Sequence, residues 1–292
     1  MKKEEIFATT IMTNINRKSI FVDNVEMLDR MPLFSWIDIN VTELCNRTCV
    51  FCPRADPHEY PNQNLQMSIE LAKKMADELI EMNYKGGVVF SGYGEPLLNP
   101  NIDEIVKQFG EKIHTEIVTN GDPLNEKMIS RLYESGLDIM IVSMYDGPHQ
   151  IEKFHDLFKA SGIGEEKYSL RDRWYDVEED YGIKLTNRSG TVTIGNQQEV
   201  DPSKPCFYTH YSMMVDWNGD VMLCVQDWNK KVKFGNLNTS TLLEVWRSHN
   251  IEKYRKMLGK GFRKLDPCAQ CNVNGTLHGL NHSEAWERYR DH

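Results

Sequence analysis

The sequence predicts an α/β protein, a partial (β/α)6 TIM-like barrel followed by a small C-terminal domain built from a β-hairpin and a helix. Three observations predict it. Short apolar runs alternate with amphipathic helical stretches from about residue 35 to residue 186, which is the pattern of parallel strands joined by crossover helices. Near Ser189 the alternation stops, and an Asn218-Gly219 pair between two strand-like runs then marks a hairpin. The seven cysteines fall into two groups: Cys45, Cys49 and Cys52 in the first part, and Cys206, Cys224, Cys268 and Cys271 in the second.

Residues 1–34 are mixed and polar and read as a lead-in segment packed on the main domain. Trp36-Ile37-Asp38-Ile39-Asn40-Val41 alternates apolar with polar residues, so it reads as the first strand. A helix from Met67 to Met82 follows, with Ser68 as its cap and Leu71, Met75, Leu79 and Ile80 on its apolar face. The next strands are expected at Gly87 to Ser91, Glu116 to Thr119 and Leu137 to Val142. Helices are expected at Asn101 to Phe109, Asn125 to Ser135 and Gln150 to Ala160. Short strands at Tyr168 to Leu170 and Ile183 to Thr186 complete six, which suits an open barrel better than a closed eight-stranded one. The barrel domain is set at residues 35–195 and the hairpin domain at 196–275. A single helix from Thr241 to about Leu258 lies inside the latter, and 276–292 is left as a tail.

A length of 292 residues with 40% hydrophobic content allows a substantial core. The formal net charge of −9, from 43 acidic and 34 basic residues, speaks against a nucleic-acid partner. No apolar stretch follows Met1-Lys2-Lys3-Glu4-Glu5, and no run of about 18 apolar residues occurs, so a cytoplasmic protein without a membrane span is expected. Clustered cysteines in that compartment point to metal rather than disulfides.

Cys45-Asn46-Arg47-Thr48-Cys49-Val50-Phe51-Cys52 places three thiolates in one loop after the first strand. Three thiolates can ligate three irons of a [4Fe–4S] cube and leave the fourth iron open to a ligand. A structural zinc site with His58 as fourth ligand is the alternative. This C-x3-C-x2-C loop, with an aromatic Phe51 before its last cysteine, resembles that of the radical S-adenosylmethionine superfamily. The resemblance implies that S-adenosyl-L-methionine chelates the open iron, and that one electron cleaves it to methionine and a 5′-deoxyadenosyl radical. It also implies a low-potential electron donor such as flavodoxin or ferredoxin.

Ser91-Gly92-Tyr93-Gly94-Glu95-Pro96 resembles the Gly-Gly-Glu-Pro turn of that family, with Tyr93 in place of one glycine. Gly94, Glu95 and Pro96 are therefore candidate cofactor contacts, with the Glu95 carboxylate suited to an ammonium, and Tyr93 is a candidate lining the substrate pocket. Thr119 and Asn120 end the third strand and Ser143 the fourth. Both strand ends resemble cofactor-side positions, Ser143 being the candidate for the ribose, while plain strand-end capping accounts equally well for Thr119. Arg171 follows the fifth strand. It and its neighbours Asp172 and Arg173 either hold the cofactor carboxylate or form ion pairs. Each of these residues falls at the C-terminal end of an expected parallel strand, the face on which α/β enzymes build their sites.

The spacing Cys206-x12-Gly219-x4-Cys224, followed by Cys268-x2-Cys271, resembles the SPASM motif and more closely its shortened twitch form. The resemblance implies one auxiliary [4Fe–4S] cluster with four cysteine ligands, and a four-cysteine zinc ribbon is the alternative. Three plus four ligands use every cysteine, so no thiol remains to return a hydrogen atom to a substrate radical. Net oxidation of a carbinol to a ketone is therefore expected over epimerisation, with the auxiliary cluster as electron acceptor and a sugar, cyclitol or sugar nucleotide as substrate. Arg188, at the mouth of the last strand, is the candidate contact to the substrate oxygen, and a plain salt bridge is its alternative. His210 and Asp216 are candidate bases. The 34-residue lead-in is too short for a leader-peptide-binding domain, which lowers a peptide-maturase reading, and a non-catalytic zinc protein is the remaining alternative.

Overall fold

The computed structural model describes residues 15–174, 185–195, 197–199, 201 and 203–290. Among them, eight strands form one sheet in the order β10-β9-β8-β3-β4-β5-β6-β7. These strands are β3 (Trp36–Ile39), β4 (Gly87–Phe90), β5 (His114–Thr119), β6 (Ile139–Met144), β7 (Tyr168–Asp172), β8 (Ser212–Val215), β9 (Asp220–Met222) and β10 (Lys233–Asn236). β3 to β7 run parallel in sequence order, and β8 pairs parallel with the other side of β3. The short β1 (Met27–Leu28) and β2 (Met31–Pro32) pair separately.

Crossover helices α2 (Ile69–Glu81), α3 (Ile102–Phe109), α4 (Glu126–Glu134) and α5 (Gln150–Ala160) cover the outer face. Strand alternation separates the two faces. Ile37, Ile39, Val88, Phe90, Val142 and Met144 join the helices in the main core. Trp36 and Val89 point the other way and pack with Val22, Phe207 and Tyr211. Ser68 caps α2 by accepting from Leu71 N–H at 3.2 Å, as its position in the sequence suggested.

Three sequence expectations change. Of the expected strand Ile183 to Thr186, residues 183 and 184 lie outside the described residues, and Leu185 makes only an isolated parallel bridge to Gln197. The sixth parallel strand is instead β8, the first arm of the hairpin, with Trp36 opposite Ser212 and Ile39 opposite Val215. The hairpin signal itself was sound: Gly219 sits at φ +86, and the turn closes through Gly219 N–H to Asp216 O at 2.9 Å. What the pattern could not tell was that the free edge of the hairpin docks on the barrel.

The expected helix from Thr241 to Leu258 is two helices, α7 (Leu242–Trp246) and α8 (His249–Gly259). Ser248 is extended at ψ 148 and caps the second helix, while Thr241 and Glu244 form a capping box on the first. The third change concerns the chain ends. A helix α1 over residues 15–22 closes one end of the barrel interior, and α9 (Leu280–Arg290) replaces the expected tail. Their apolar stripes are thin. α9 buries His282 and Ser283 beside Ala285 and Trp286, so its pattern hardly rises above a polar stretch. A four-residue helix α6 (Tyr208–Tyr211) leads into β8.

Candidate active site

The cysteine loop leaves β3 at the barrel mouth and is held by side chains on both flanks. Asn62 clamps Cys45 through both backbone groups, accepting from its N–H at 2.9 Å and donating to its carbonyl at 3.0 Å. Arg47 forks onto Asp122 and Asp146, each at 2.6 Å, which ties the loop to the ends of β5 and β6. Arg54, almost fully buried, donates to Tyr93 O at 2.6 Å and to Glu43 at 3.1 Å. Burial pushes all three thiols up, Cys49 to about 12 with Cys52 adding repulsion. Thiolates persist in such a loop only when a cation compensates them, and iron supplies that compensation.

The turn after β4 lies directly beside this loop. Gly92 has φ +145, and a Cβ there would stand 2.8 Å from the Asn40 side chain; one on Gly94 would stand 2.2 Å from Thr42 O. Asn40 Oδ1 accepts from the N–H groups of Tyr93 and Gly94 at 3.0 and 3.2 Å. Glu95 is buried and its carboxylate accepts from Thr119 Oγ1 at 2.7 Å, Asn120 N–H at 2.8 Å and Leu97 N–H at 3.1 Å. Burial nonetheless raises it to about 7. Glu95 thus locks the turn to the end of β5 and starts the short helical turn at Pro96. The Thr119 hydroxyl is fully used, since it also accepts from Gly121 N–H at 3.0 Å, which matches strand-end capping. Asn120 Nδ2 donates to Asn46 of the cysteine loop at 2.8 Å.

Ser143 and Arg171 are register partners on β6 and β7, and Arg171 Nη2 donates to Ser143 Oγ at 2.8 Å. Phe51 lies against Tyr145, ring centroids 5.5 Å apart, just beyond Ser143. Cofactor-side candidates from β5, β6 and β7 therefore converge around the cysteine loop. Arg188 approaches from a different segment, and its charge reaches Cys52 and Arg171. Tyr93 is fully buried between Tyr60 and Trp228, and its hydroxyl donates to Asp227 O at 3.1 Å, toward the hairpin domain.

His210 and Asp216 are committed elsewhere. His210 is buried beside Phe207, and burial lowers it to about 3. Asp216 accepts from Asn40 at 2.8 Å and from Lys230 at 2.6 Å. Lys230 also bridges to Glu43, which completes a buried network of Glu43, Arg54, Asp216, Lys230 and Asn40 between the cysteine loop and the hairpin. The sequence reading missed this network. Asn40, a polar residue ending the first strand, was its one visible sign.

The second cysteine group meets in one place. Cys206, Cys224, Cys268 and Cys271 line one small cavity together with Ser189, Leu223, Leu258, Arg263 and Val273. Cys206 is pushed up to about 11 and Cys268 to about 12 by burial and by neighbouring thiols, and Cys224 rises well above its ordinary value, first by burial and then by the other three thiols. Gly275 is required beside Cys206, whose Sγ would lie 2.4 Å from an added Cβ. A cluster spreads its ligands over separate irons, so four thiols around a cavity suit it.

A model of the radical SAM superfamily matches residues 39–168, and a model described as an iron–sulfur cluster-binding domain, SPASM, matches residues 206–272. The S-adenosyl-L-methionine-dependent 2-deoxy-scyllo-inosamine dehydrogenase of Niallia circulans is 31% identical over 245 residues, which span 82% of this chain and 93% of that protein. The chain belongs to the radical S-adenosylmethionine superfamily. Its cofactors are S-adenosylmethionine and iron–sulfur clusters, and it is an enzyme of that class. The crystal structure of BtrN in complex with AdoMet and 2-DOIA superposes with a TM-score of 0.72 at 29% identity, covering 87% of this chain and 98% of that one. BtrN in an open conformation gives a TM-score of 0.60 at 27% identity, over 82% and 93% of the two chains. The radical SAM fold expected from the cysteine loop is thus present. Among the described residues no helix is long and apolar enough to cross a membrane.

Proposed function

We propose that this radical SAM enzyme is a dehydrogenase that oxidises one carbinol of a small polyol, of the sugar, cyclitol or sugar-nucleotide class, to a ketone. The single observation that carries the reading is the thiol inventory. Four of the seven cysteines surround one cavity and the other three sit in the barrel-mouth loop, so none is spare to return a hydrogen atom. The similarity to an inosamine dehydrogenase along 93% of that protein supports the same reading.

In this scheme Cys45, Cys49 and Cys52 hold a [4Fe–4S] cluster with one open iron, and Cys206, Cys224, Cys268 and Cys271 hold a closed auxiliary cluster. When bound, these groups and S-adenosylmethionine supply the hydrogen-abstracting radical and an electron sink. The chain's residues do the rest. Backbone at Gly92 to Gly94, fixed by Asn40, and the strand ends at Asn120, Ser143 and Arg171 orient the cofactor. Phe51 and Tyr145 shield it from water. Arg188 faces the substrate oxygen, where its permanent charge favours the oxyanion left when the carbinol gives up its proton. Tyr93 supports the pocket wall and couples it to the hairpin domain, whose bounds we keep at residues 196–275. A flavodoxin or ferredoxin is the proposed electron donor.

Anaerobic incubation of the reconstituted enzyme with S-adenosylmethionine, a reductant and candidate polyols tests the reading. A ketone formed in step with 5′-deoxyadenosine supports it, and Cys224→Ala is expected to keep cofactor cleavage while losing the ketone. An inverted alcohol carrying solvent hydrogen at the carbon would replace oxidation by epimerisation.

A further inference from the structure

The barrel interior carries more positive charge than its cofactor needs. Arg171 and Arg173 stand two residues apart, so both side chains leave the same side of the strand. The Arg171–Ser143 bond fixes that side as the interior, because the alternating residues Val142, Met144 and Leu170 pack into the outer core. Arg173 N–H donates to Met144 O at 2.9 Å, which carries the ladder one residue past β7.

Arg188 reaches the same region from a turn in which Arg188, Ser189 and Gly190 have φ of 47, 54 and 91. Left-handed backbone at non-glycine residues is strained and persists only where its surroundings enforce it. Here Asn187 Nδ2 donates to Gln270 O at 2.5 Å, and Asn187 N–H donates to Asn272 Oδ1 at 2.8 Å, which anchors the turn to the Cys268–Cys271 segment.

The three guanidinium groups feel one another. Desolvation first, then Arg173, brings Arg171 down to about 9, with Arg188 contributing, and Arg173 moves the same way. Each keeps part of its surface open, as side chains lining a concave site do. Among the described residues the charge of Asp172 reaches Arg173 and offsets it in part, and Arg171 Nε lacks an acceptor. The interior carboxylates Asp38 and Glu116 are already matched, Asp38 by the charge of Lys18 and Glu116 by Arg17 from α1. All this occurs in a chain of net charge −9, so the positive patch is local.

S-adenosylmethionine does not account for the cluster, because its one carboxylate is outweighed by its own ammonium and sulfonium. We infer that the substrate of this enzyme carries an oxyanion, a phosphate or carboxylate on its polyol frame, received chiefly by Arg173, between the Arg171 that orients the cofactor and the Arg188 that faces the carbinol oxygen. Guanidinium forks match such groups two bonds at a time. This inference rests on the polyol-oxidation reading for the frame and adds the charge. It also separates this chain from its relative, since 2-deoxy-scyllo-inosamine bears an amine that a triple-arginine site repels.

The test is binding without turnover. The reconstituted enzyme with S-adenosylmethionine and no reductant is titrated calorimetrically with glucose 6-phosphate, glucuronate, glucose and glucosamine, four charge states of one ring. We expect the phosphate or the carboxylate to bind about ten- to hundredfold more tightly than glucose, as charge-assisted bonds do. Glucosamine is expected to bind weakest, and the stronger of the two anions identifies the oxyanion class. Arg173→Gln is expected to erase most of the anion preference while iron content and S-adenosylmethionine affinity stay at wild-type level. Equal binding across the series, a preference for glucosamine, absence of binding by all four, or an anion preference untouched in Arg173→Gln would each overturn the inference. Because no turnover is involved, failure here leaves the ketone assay to judge the oxidation reading separately.

Discussion

Lys230→Met probes the buried network that joins the cysteine loop to the hairpin. Lys230 has φ +51, so the backbone is strained to present its ammonium to Glu43 and Asp216, above the Tyr93 ring at 4.9 Å. Methionine keeps the stem and removes the charge. Two buried carboxylates then face the single guanidinium of Arg54, with Asp216 keeping only its bonds from Asn40 and Trp217 N–H. Breaking a buried pair from one side costs about 3–5 kcal/mol. Lys230 keeps 24% of its side chain exposed, so about 3 kcal/mol is expected, near the low end. That corresponds to a midpoint roughly 6–12 °C lower in thermal unfolding followed by circular dichroism. The double variant Lys230→Met/Asp216→Asn removes one orphaned charge and is expected to recover part of the loss. A single-variant shift under about 2 °C, or a double variant less stable than the single one, would refute the network as an energetic coupling.

Three further outcomes follow from local geometry. Gly92→Ala puts a Cβ against Asn40 at a φ that only glycine adopts readily, so S-adenosylmethionine affinity is expected to fall more than about tenfold by equilibrium dialysis, with the fold retained. Tyr93→Phe loses one bond to Asp227 O, worth about 1 kcal/mol, so ketone formation is expected to drop less than about tenfold; a complete loss would mean that the hydroxyl acts directly on substrate. His210 and His282 are buried and lowered to about 3 and about 4, below the ~6.5 of an unfolded histidine. The unfolded chain therefore binds more protons below pH ~6.5. Their contribution to stability is full above that value and is lost as pH falls toward 4, by up to ~1.4 kcal/mol per pH unit for each histidine. Urea midpoints at pH 7.5, 6.5 and 5.5 check this, and a midpoint that rises on acidification would contradict it.

What the sequence made legible depends on how local each signal is. The cysteine loop, the Gly-Tyr-Gly-Glu-Pro turn and the Asn218-Gly219 hairpin are each written in adjacent residues, and each lies where the pattern put it. Periodicity also found α2 to α5 and the parallel strands β3 to β7, because one face of each buries a regular stripe. Contacts between distant segments were not legible. Nothing near Ser212 says that β8 pairs with Trp36, 176 residues earlier, since edge docking is decided by two complementary surfaces. The same holds for Lys230, which reads as a turn lysine until Glu43 and Asp216 are seen beside it. α1 escaped because its chemistry is inverted: Arg17 and Lys18 go inward, where a helix normally buries apolar residues.

That inversion is informative about the site. A barrel interior that admits Arg17, Lys18, Arg171, Arg173 and Arg188 cannot be a packing core. Burying charge without a ligand to receive is destabilising by several kcal/mol per group, so the polar interior is retained against stability. Asp38 and Glu116 offset Lys18 and Arg17 at the closed end, beneath α1. At the open end the arginines are left to the cofactor and the substrate. Among the described residues charge is therefore less fully compensated toward the cysteine loop, which is why the inferred anionic substrate group is assigned to that end of the barrel.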